Sequence, residues 1–432
     1  MLYHLFEWFT RHGIKFPGSG LLHFITFRVL VAVILSLVIT TVYGKRLIRI
    51  LNKKQLGESV RNLGLAGEQM KSGTPTMGGL IILLGILVPT LLLANLDKVY
   101  VRLMLLTTVW LGIIGFIDDY LKIKARKTAK QKGIAYTKKD ADGLAGRFKI
   151  FGQVILGIII GATLYFNPSV NVKREIIGAK NAEVLKRGEH TLREDTVITN
   201  GEMHRFVTVK TPITTIPFVK THEFNYARLL PASLESYTYI LYILVVIFII
   251  TAVSNGANLT DGLDGLATGV SAIIGVGLGI FVFVSSDVRI ADYLNIMYIP
   301  NLSELAIFIA AFVGACVGFL WYNAYPAQVF MGDTGSLAIG GIIASLAIIV
   351  RKELLIPIFC FVFLIELVSV MSQVTYFKYT KKKYGEGKRI FLMSPLHHHY
   401  QKLGYHESKI AVRFWVVTIL SVVLAVVTLK LR

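Results

Sequence analysis

A chain of 432 residues that is 54% hydrophobic, with a mean hydropathy of +0.61, carries more apolar surface than a soluble globular domain can bury. Its formal charge of +20 would suit nucleic acid, but in a chain this apolar it reads as Lys and Arg flanking membrane spans, so no nucleic acid is expected. Cys316 and Cys360 stand far apart inside apolar runs, so neither a disulfide scaffold nor a zinc cluster is implied.

In chain order, ten apolar runs are long enough to cross a hydrocarbon core as helices: 21–43, 78–96, 101–117, 149–166, 237–254, 266–284, 304–321, 335–350, 354–376 and 410–430. No signal-peptide cleavage pattern precedes the first, which reads as an anchor that stays. The intervening segments form two alternating sets. One set, 44–77, 118–148, 255–265, 322–334 and 377–409, holds the basic clusters Lys45-Arg46, Lys53-Lys54, Lys122 to Lys132, Lys138-Lys139 and Lys381 to Lys383. The other set is poorer in Lys and Arg, so the bias predicts the first set in the cytoplasm and both termini outside.

Segment 167–236 falls outside on this count, since a loop that long crosses largely regardless of charge. Its alternation, Thr196-Val197-Ile198-Thr199 and Phe206-Val207-Thr208-Val209, predicts short β-hairpins in a small outer subdomain. The expected fold is an all-α polytopic membrane protein of about ten helices, organised as 1–166, an outer insert at 167–236, and 237–432. No internal repeat is evident, which argues against an inverted-repeat transporter.

Three acidic groups fall in the cytoplasmic set. Asp118 and Asp119 close the third span beside Lys122, Lys124, Arg126 and Lys127. Adjacent helical residues point about 100° apart, so the two acids cannot share one job. One could ligate a cation while the other accepts a proton or orients a lysine. Next comes 254–265, Ser-Asn-Gly-Ala-Asn-Leu-Thr-Asp-Gly-Leu-Asp-Gly, with Asn255, Asn258, Asp261 and Asp264 at every third position. A helix would stack these four on one face. A turn with a helix cap needs only two or three such residues.

Asp333, in Phe330-Met-Gly-Asp-Thr-Gly-Ser336, directly precedes an apolar run. Helix capping explains it fully, yet the same N-terminus suits a phosphate with a metal beside it. Phe330 is placed to stack on a base or to pack. Ser394-Pro-Leu-His-His-His-Tyr400 holds three contiguous histidines, which splay too widely for one tetrahedral zinc site and fit hydrogen-bond donors to phosphate or pyrophosphate, or a proton carrier, better. Lys71 and the turn Thr74-Pro-Thr-Met-Gly-Gly79 add a cation and close-packed backbone. Glu366 lies mid-span, a functional suspect unless Ser369 or Gln373 partners it. Neither a Walker A nor a G-x-G-x-x-G pattern accompanies these groups.

Together the stretches Lys71 to Gly79, Phe116-Ile-Asp-Asp-Tyr120, Asn255 to Gly265, Phe330 to Ser336 and Ser394 to Tyr400 resemble the phospho-N-acetylmuramoyl-pentapeptide transferase family. That family belongs to the polyprenyl-phosphate N-acetylhexosamine-1-phosphate transferase superfamily. The match runs in family order from residue 71 to 400, and the His-His-His stretch points to the muramoyl-pentapeptide branch. The departure is 167–236, longer than the periplasmic hairpin expected of the family.

The resemblance implies a Mg²⁺-dependent phospho-sugar transferase of the bacterial inner membrane, its active site facing the cytoplasm and its usual state a homodimer. Undecaprenyl phosphate would attack the β-phosphorus of UDP-N-acetylmuramoyl-pentapeptide, giving lipid I and UMP at the first membrane step of peptidoglycan synthesis. By resemblance, Asp333 is the metal ligand, with Asp261 a second candidate. Asp118 deprotonates or positions the lipid phosphate, and Asp119 is its essential partner. Lys71 joins this catalytic set. Thr76, Asn255, Asn258, Asp261, Gly262, Leu263, Asp264, Asn323 and Phe330 line the substrate, Phe330 against uracil, while His397, His398 and His399 contact phosphate or pentapeptidyl sugar.

The chemistry is consistent. Phosphoryl transfer asks a protein mainly to position anions and disperse charge, and magnesium takes oxygen ligands. The rivals are a sister enzyme moving N-acetylglucosamine-1-phosphate and, more distantly, an anion transporter, whose polar residues would gather at mid-membrane rather than at helix ends.

Overall fold

The computed structural model describes residues 1–14, 19–53, 73–131, 144, 146–176, 190–199, 202–217, 223–294 and 296–428. Amphipathic α1 (Leu2–Arg11) precedes α2 (Ile25–Val38), which passes through a π-turn at Ile39–Tyr43 into α3 (Gly44–Lys53). Next come α4 (Gly79–Leu93), α5 (Val99–Gln131) and α6 (Gly146–Phe166). Five strands follow, then α7 (Thr238–Thr260), α8 (Leu266–Ser286), α9 (Val288–Leu294), α10 (Leu305–Asn323) and α11 (Gly332–Ile349). The chain closes with α12 (Ile356–Phe359), α13 (Phe361–Tyr384), α14 (Leu396–Lys402) and α15 (Glu407–Val427).

Long Ile/Leu/Val runs form these helices because a helix satisfies its own backbone where no water is available. Among the described residues nine helices are long and apolar enough to cross a membrane, at positions matching nine of the ten expected spans. The expected span 78–96 differs: α4 has 15 residues, about 22 Å of rise, with Pro89 inside it. Its early end is closed within the protein rather than in lipid. Arg28 donates to the Leu93 carbonyl at 3.1 Å, and Glu304, paired with Arg28 at 2.7 Å, accepts from the Asn95 N–H at 2.9 Å.

The central helix is α11, almost wholly buried, packed on α5 and α7 and flanked by α4 and α8. Close approach here depends on missing side chains. A Cβ on Gly79 of α4 would overlap the α11 backbone at Gly335, and one on Gly115 of α5 would overlap the Asp333 carbonyl. Three helix backbones therefore touch at the start of α11.

The strands lie at the other end of the bundle. β1 (Val172–Ile176), β2 (His190–Thr199) and β3 (Glu202–Lys210) form an antiparallel sheet in the order β1-β3-β2, with Val197 opposite His204. β4 (Ile213–Thr215) pairs with β5 (Glu223–Asn225), and Thr215 N–H donates to the Arg351 carbonyl at 2.9 Å just past α11.

Candidate active site

The site forms where α5, α6, α7 and α11 bring their polar ends together. About 28 Å of α5 separates Val99 from Asp118, enough to carry the acidic pair to the far edge of a hydrocarbon core. Asp333 lies in the first turn of α11, so the two acid motifs meet. Asp118, Asp119 and Asp333 each offer an oxygen such that all three atoms lie within 4.8 Å of one another.

The adjacent acids do different work, as their helical offset demands. Asp119 is turned to the start of α11, where it accepts from Asp333 N–H at 3.1 Å, Thr334 N–H at 2.9 Å and the Thr334 hydroxyl at 2.6 Å. It caps three donors that α11 cannot satisfy itself. Asp118 faces the other way and is wholly buried. Lys122 Nζ lies 2.6 Å from Asp118 Oδ2 and 3.0 Å from Asp333 Oδ2. Lys149 of α6 approaches the same pair, 3.0 Å from Asp118 Oδ2 and paired with Asp333 Oδ2.

Two ammoniums thus share two carboxylate oxygens. Asp118 Oδ2 sits within ion-pair range of both but is aligned for a hydrogen bond with neither, leaving it a buried oxygen without a directed partner. An all-oxygen set with one such atom suits a hard cation, and these acids could hold a metal ion. Asp333 Oδ1 is oriented by Asn258 of α7, whose amide donates to it at 2.9 Å and to Ser336 Oγ at 2.8 Å.

The remaining expected residues divide into those near this cluster and those that build its surroundings. Lys71 lies outside the described residues. The Thr76 turn is bonded to the Phe330 segment: Phe330 N–H donates to Pro75 O, Gly78 N–H to Phe330 O and Gly79 N–H to Met331 O, each at 2.8 Å. Two motifs far apart in sequence are therefore one backbone unit beside Asp333.

The every-third-residue register expected to continue through Asp264 stops at Thr260, where α7 ends. Asn255 and Asn258 are helical, but Asn255 donates to Gln153 of α6 at 2.9 Å rather than facing Asp333. Asp261, Gly262, Leu263 and Asp264 form the following turn. Asp261 is not among the three converging acids. Asp264 is buried and accepts from Ala327 N–H at 2.9 Å. Asn323, also buried, accepts from Gly265 N–H at 3.1 Å and donates to Val329 O at 2.9 Å, tying the turn to the Phe330 loop.

The three histidines separate. His397 is wholly buried, His398 Nδ1 lies 2.6 Å from Gln401 Oε1, and His399 Nδ1 accepts from Leu392 N–H at 3.2 Å. Glu366 is partnered by neither expected side chain. Ser369 bonds its carbonyl instead, while its carboxylate faces His397.

Sequence reasoning missed Lys149. It reads there as a flanking charge at the start of a span, and the only signal was Gln153 one turn later on the same face.

Residues 194–351 match the profile described as Glycosyl transferase family 4, and residues 71–83 match phospho-N-acetylmuramoyl-pentapeptide-transferase signature 1. Proteins named phospho-N-acetylmuramoyl-pentapeptide-transferase from Flavobacterium johnsoniae and Flavobacterium psychrophilum are each 56% identical, and one from Parabacteroides distasonis is 53% identical. Each alignment covers 100% of both chains.

Proposed function

The chain belongs to the phospho-N-acetylmuramoyl-pentapeptide transferase family, and from that premise we propose how its polar cluster works. It is a membrane transferase of peptidoglycan precursor synthesis, making lipid I from UDP-N-acetylmuramoyl-pentapeptide and a lipid acceptor. The finer reading is that the acceptor is undecaprenyl phosphate, the cation Mg²⁺, and the assembly a homodimer in the bacterial inner membrane with its site toward the cytoplasm.

One observation carries the mechanism: Lys122 and Lys149 both bridge Asp118 and Asp333. Two phosphate-bearing substrates repel each other, and two lysines beside shared carboxylates are arranged to exchange carboxylate for phosphate as partner. Mg²⁺ held by Asp333 and Asp118 would further disperse phosphate charge. Asn258 fixes the Asp333 carboxylate, and Asp119 holds the helix that presents it.

The reaction is a direct displacement. An oxygen of the lipid phosphate bonds to the β-phosphorus, the bond from that phosphorus to the bridging oxygen breaks, and UMP leaves with the bridging oxygen. Asp118 orients the lipid phosphate. Asp261, Gly262, Leu263, Asp264, Thr76 and Phe330 line the nucleotide side in this reading, with His398 and His399 toward the sugar and Lys71 as a further cation.

The test is UMP release by purified protein given UDP-N-acetylmuramoyl-pentapeptide, a polyprenyl phosphate and Mg²⁺, run beside UDP-N-acetylglucosamine. Turnover with the muramoyl donor alone, abolished by EDTA, is the expected result. UMP release without the lipid would replace direct displacement by a covalent aspartyl route. Preference for UDP-N-acetylglucosamine would move the chain to the sister activity.

A further inference from the structure

Glu366, His397 and Gly262 meet in a buried stack behind the Asp261–Asp264 turn. His397 N–H donates to Glu366 Oε1 at 3.2 Å, and its Nδ1 lies 3.2 Å from Glu366 Oε2. Both side chains are fully buried, yet Glu366 Oε2 and His397 Nδ1 and Nε2 make no hydrogen bond. The ring edge is pressed on the turn: a Cβ on Gly262 would overlap His397 Nε2.

A buried acid facing an imidazole at 3.2 Å, with His397 Nε2 against backbone, is a costly arrangement that a leucine or phenylalanine would avoid if packing were all that was required. Backbone donors of the turn are held elsewhere as well. Asp264 N–H donates to Glu407 Oε1 at 3.2 Å and Gly265 N–H to Asn323 Oδ1 at 3.1 Å. Behind Gly262 stands the His397 ring.

The ring is itself held along one face of α13. Gln373 Oε1 accepts from the N–H groups of Ile390 and Phe391, each at 3.0 Å, and Glu366 takes the N–H of His397. Residues 366 and 373 are two turns apart and share that face. The segment before His397 is fastened to the same helix that bears its carboxylate partner.

We propose that Glu366 and His397 are positioning residues that set the Asp261–Asp264 turn through Gly262, and that His397 acts on the reaction without touching substrate. This deepens the functional reading above and rests on it. A histidine that met phosphate would need an accessible ring nitrogen, and here both are sealed against Glu366 and Gly262. The turn carries nucleotide-side groups, so the stack governs donor binding more than the chemical step.

The experiment is a size swap scored on the full-length protein in detergent. Wild-type UMP release first establishes the functional reading, so loss of that reading is distinguishable from loss of this one. Gly262→Ala should raise the donor KM on the order of 100-fold, because the methyl and the imidazole cannot share the space. His397→Ala should raise it about 10-fold, and adding Gly262→Ala in that background should cost nothing more. Should Gly262→Ala not fold alone, recovery of folded protein in the double variant reports the same contact. Glu366→Gln, nearly isosteric, should raise donor KM several-fold with kcat and melting midpoint almost unchanged. The proposal is overturned if Gly262→Ala costs the same factor in both backgrounds, or if Glu366→Gln or His397→Ala lowers kcat with donor KM unmoved.

Discussion

At the start of α11, Asp333 shares Lys122 and Lys149 with Asp118 and keeps 16% of its side chain exposed. Past the far end of the same helix, Arg351, Lys352 and Glu353 are all buried, and their bonds are spent on architecture. Lys352 donates to Thr215 Oγ1 at 2.6 Å, the Thr214 hydroxyl donates to Arg351 O at 3.3 Å, and Tyr226 OH donates to Glu353 Oε1 at 3.0 Å. These contacts pin β4 and the turn after β5 to the bundle. Burial pushes the Lys352 ammonium down to about 8 and raises the Glu353 carboxyl above its ordinary value. Buried charge alone therefore does not mark a site. What distinguishes the acidic end is sharing: oxygens contested by two cations are ready to take a third, whereas each bond at the basic end has one purpose.

The comparison breaks if Asp333→Asn spares turnover. Loss of roughly 1,000-fold in UMP formation, with an unchanged melting midpoint, is expected, and near-normal activity would remove Asp333 from the metal role. Lys149→Met should lower kcat by about 100-fold while tightening Mn²⁺ binding measured by calorimetry, because one competing cation is gone. Weaker Mn²⁺ binding would show that Lys149 builds the acidic pocket rather than competing in it.

The basic end should answer to pH and stability instead. Lys352 titrates near 8 when folded and near 10.5 when unfolded, so between those values the unfolded chain holds a proton the folded chain has lost. Stability should thus rise from pH 8 to 10.5, by on the order of 2 kcal/mol, and lie lowest below 8 where the buried ammonium is charged. Lys352→Met should flatten that rise in detergent melts. Tyr226→Phe, which removes one donor from Glu353, should lower stability by about 1 kcal/mol and leave UMP release unaltered. A change in kcat would mean the two ends of α11 communicate.

Much of this was legible in the sequence, for unequal reasons. Apolar run length gave nine spans because hydrophobicity is local. It overstated the second span because the closure of α4 by Arg28 and Glu304 joins residues more than 200 positions apart. The convergence of Asp118 with Asp333 followed from their shared helix-end position. Lys149 escaped because a lysine at the start of a span looks the same whether it faces solvent or a carboxylate. Asn255, Asp261 and Asp264 kept a helical period on paper, but the glycines at 262 and 265 end α7 and send each side chain to a different neighbour. Glu366 was suspect by depth alone, and its histidine partner came from the short helix α14, which only tertiary packing brings to it.

At the bare backbone junction of Gly79 and Gly115 there is no side chain to repack between α4, α5 and the head of α11, so that corner has no slack. A methyl group at either glycine should displace the start of α11 and carry Asp333 out of register with Asp118 and Lys149.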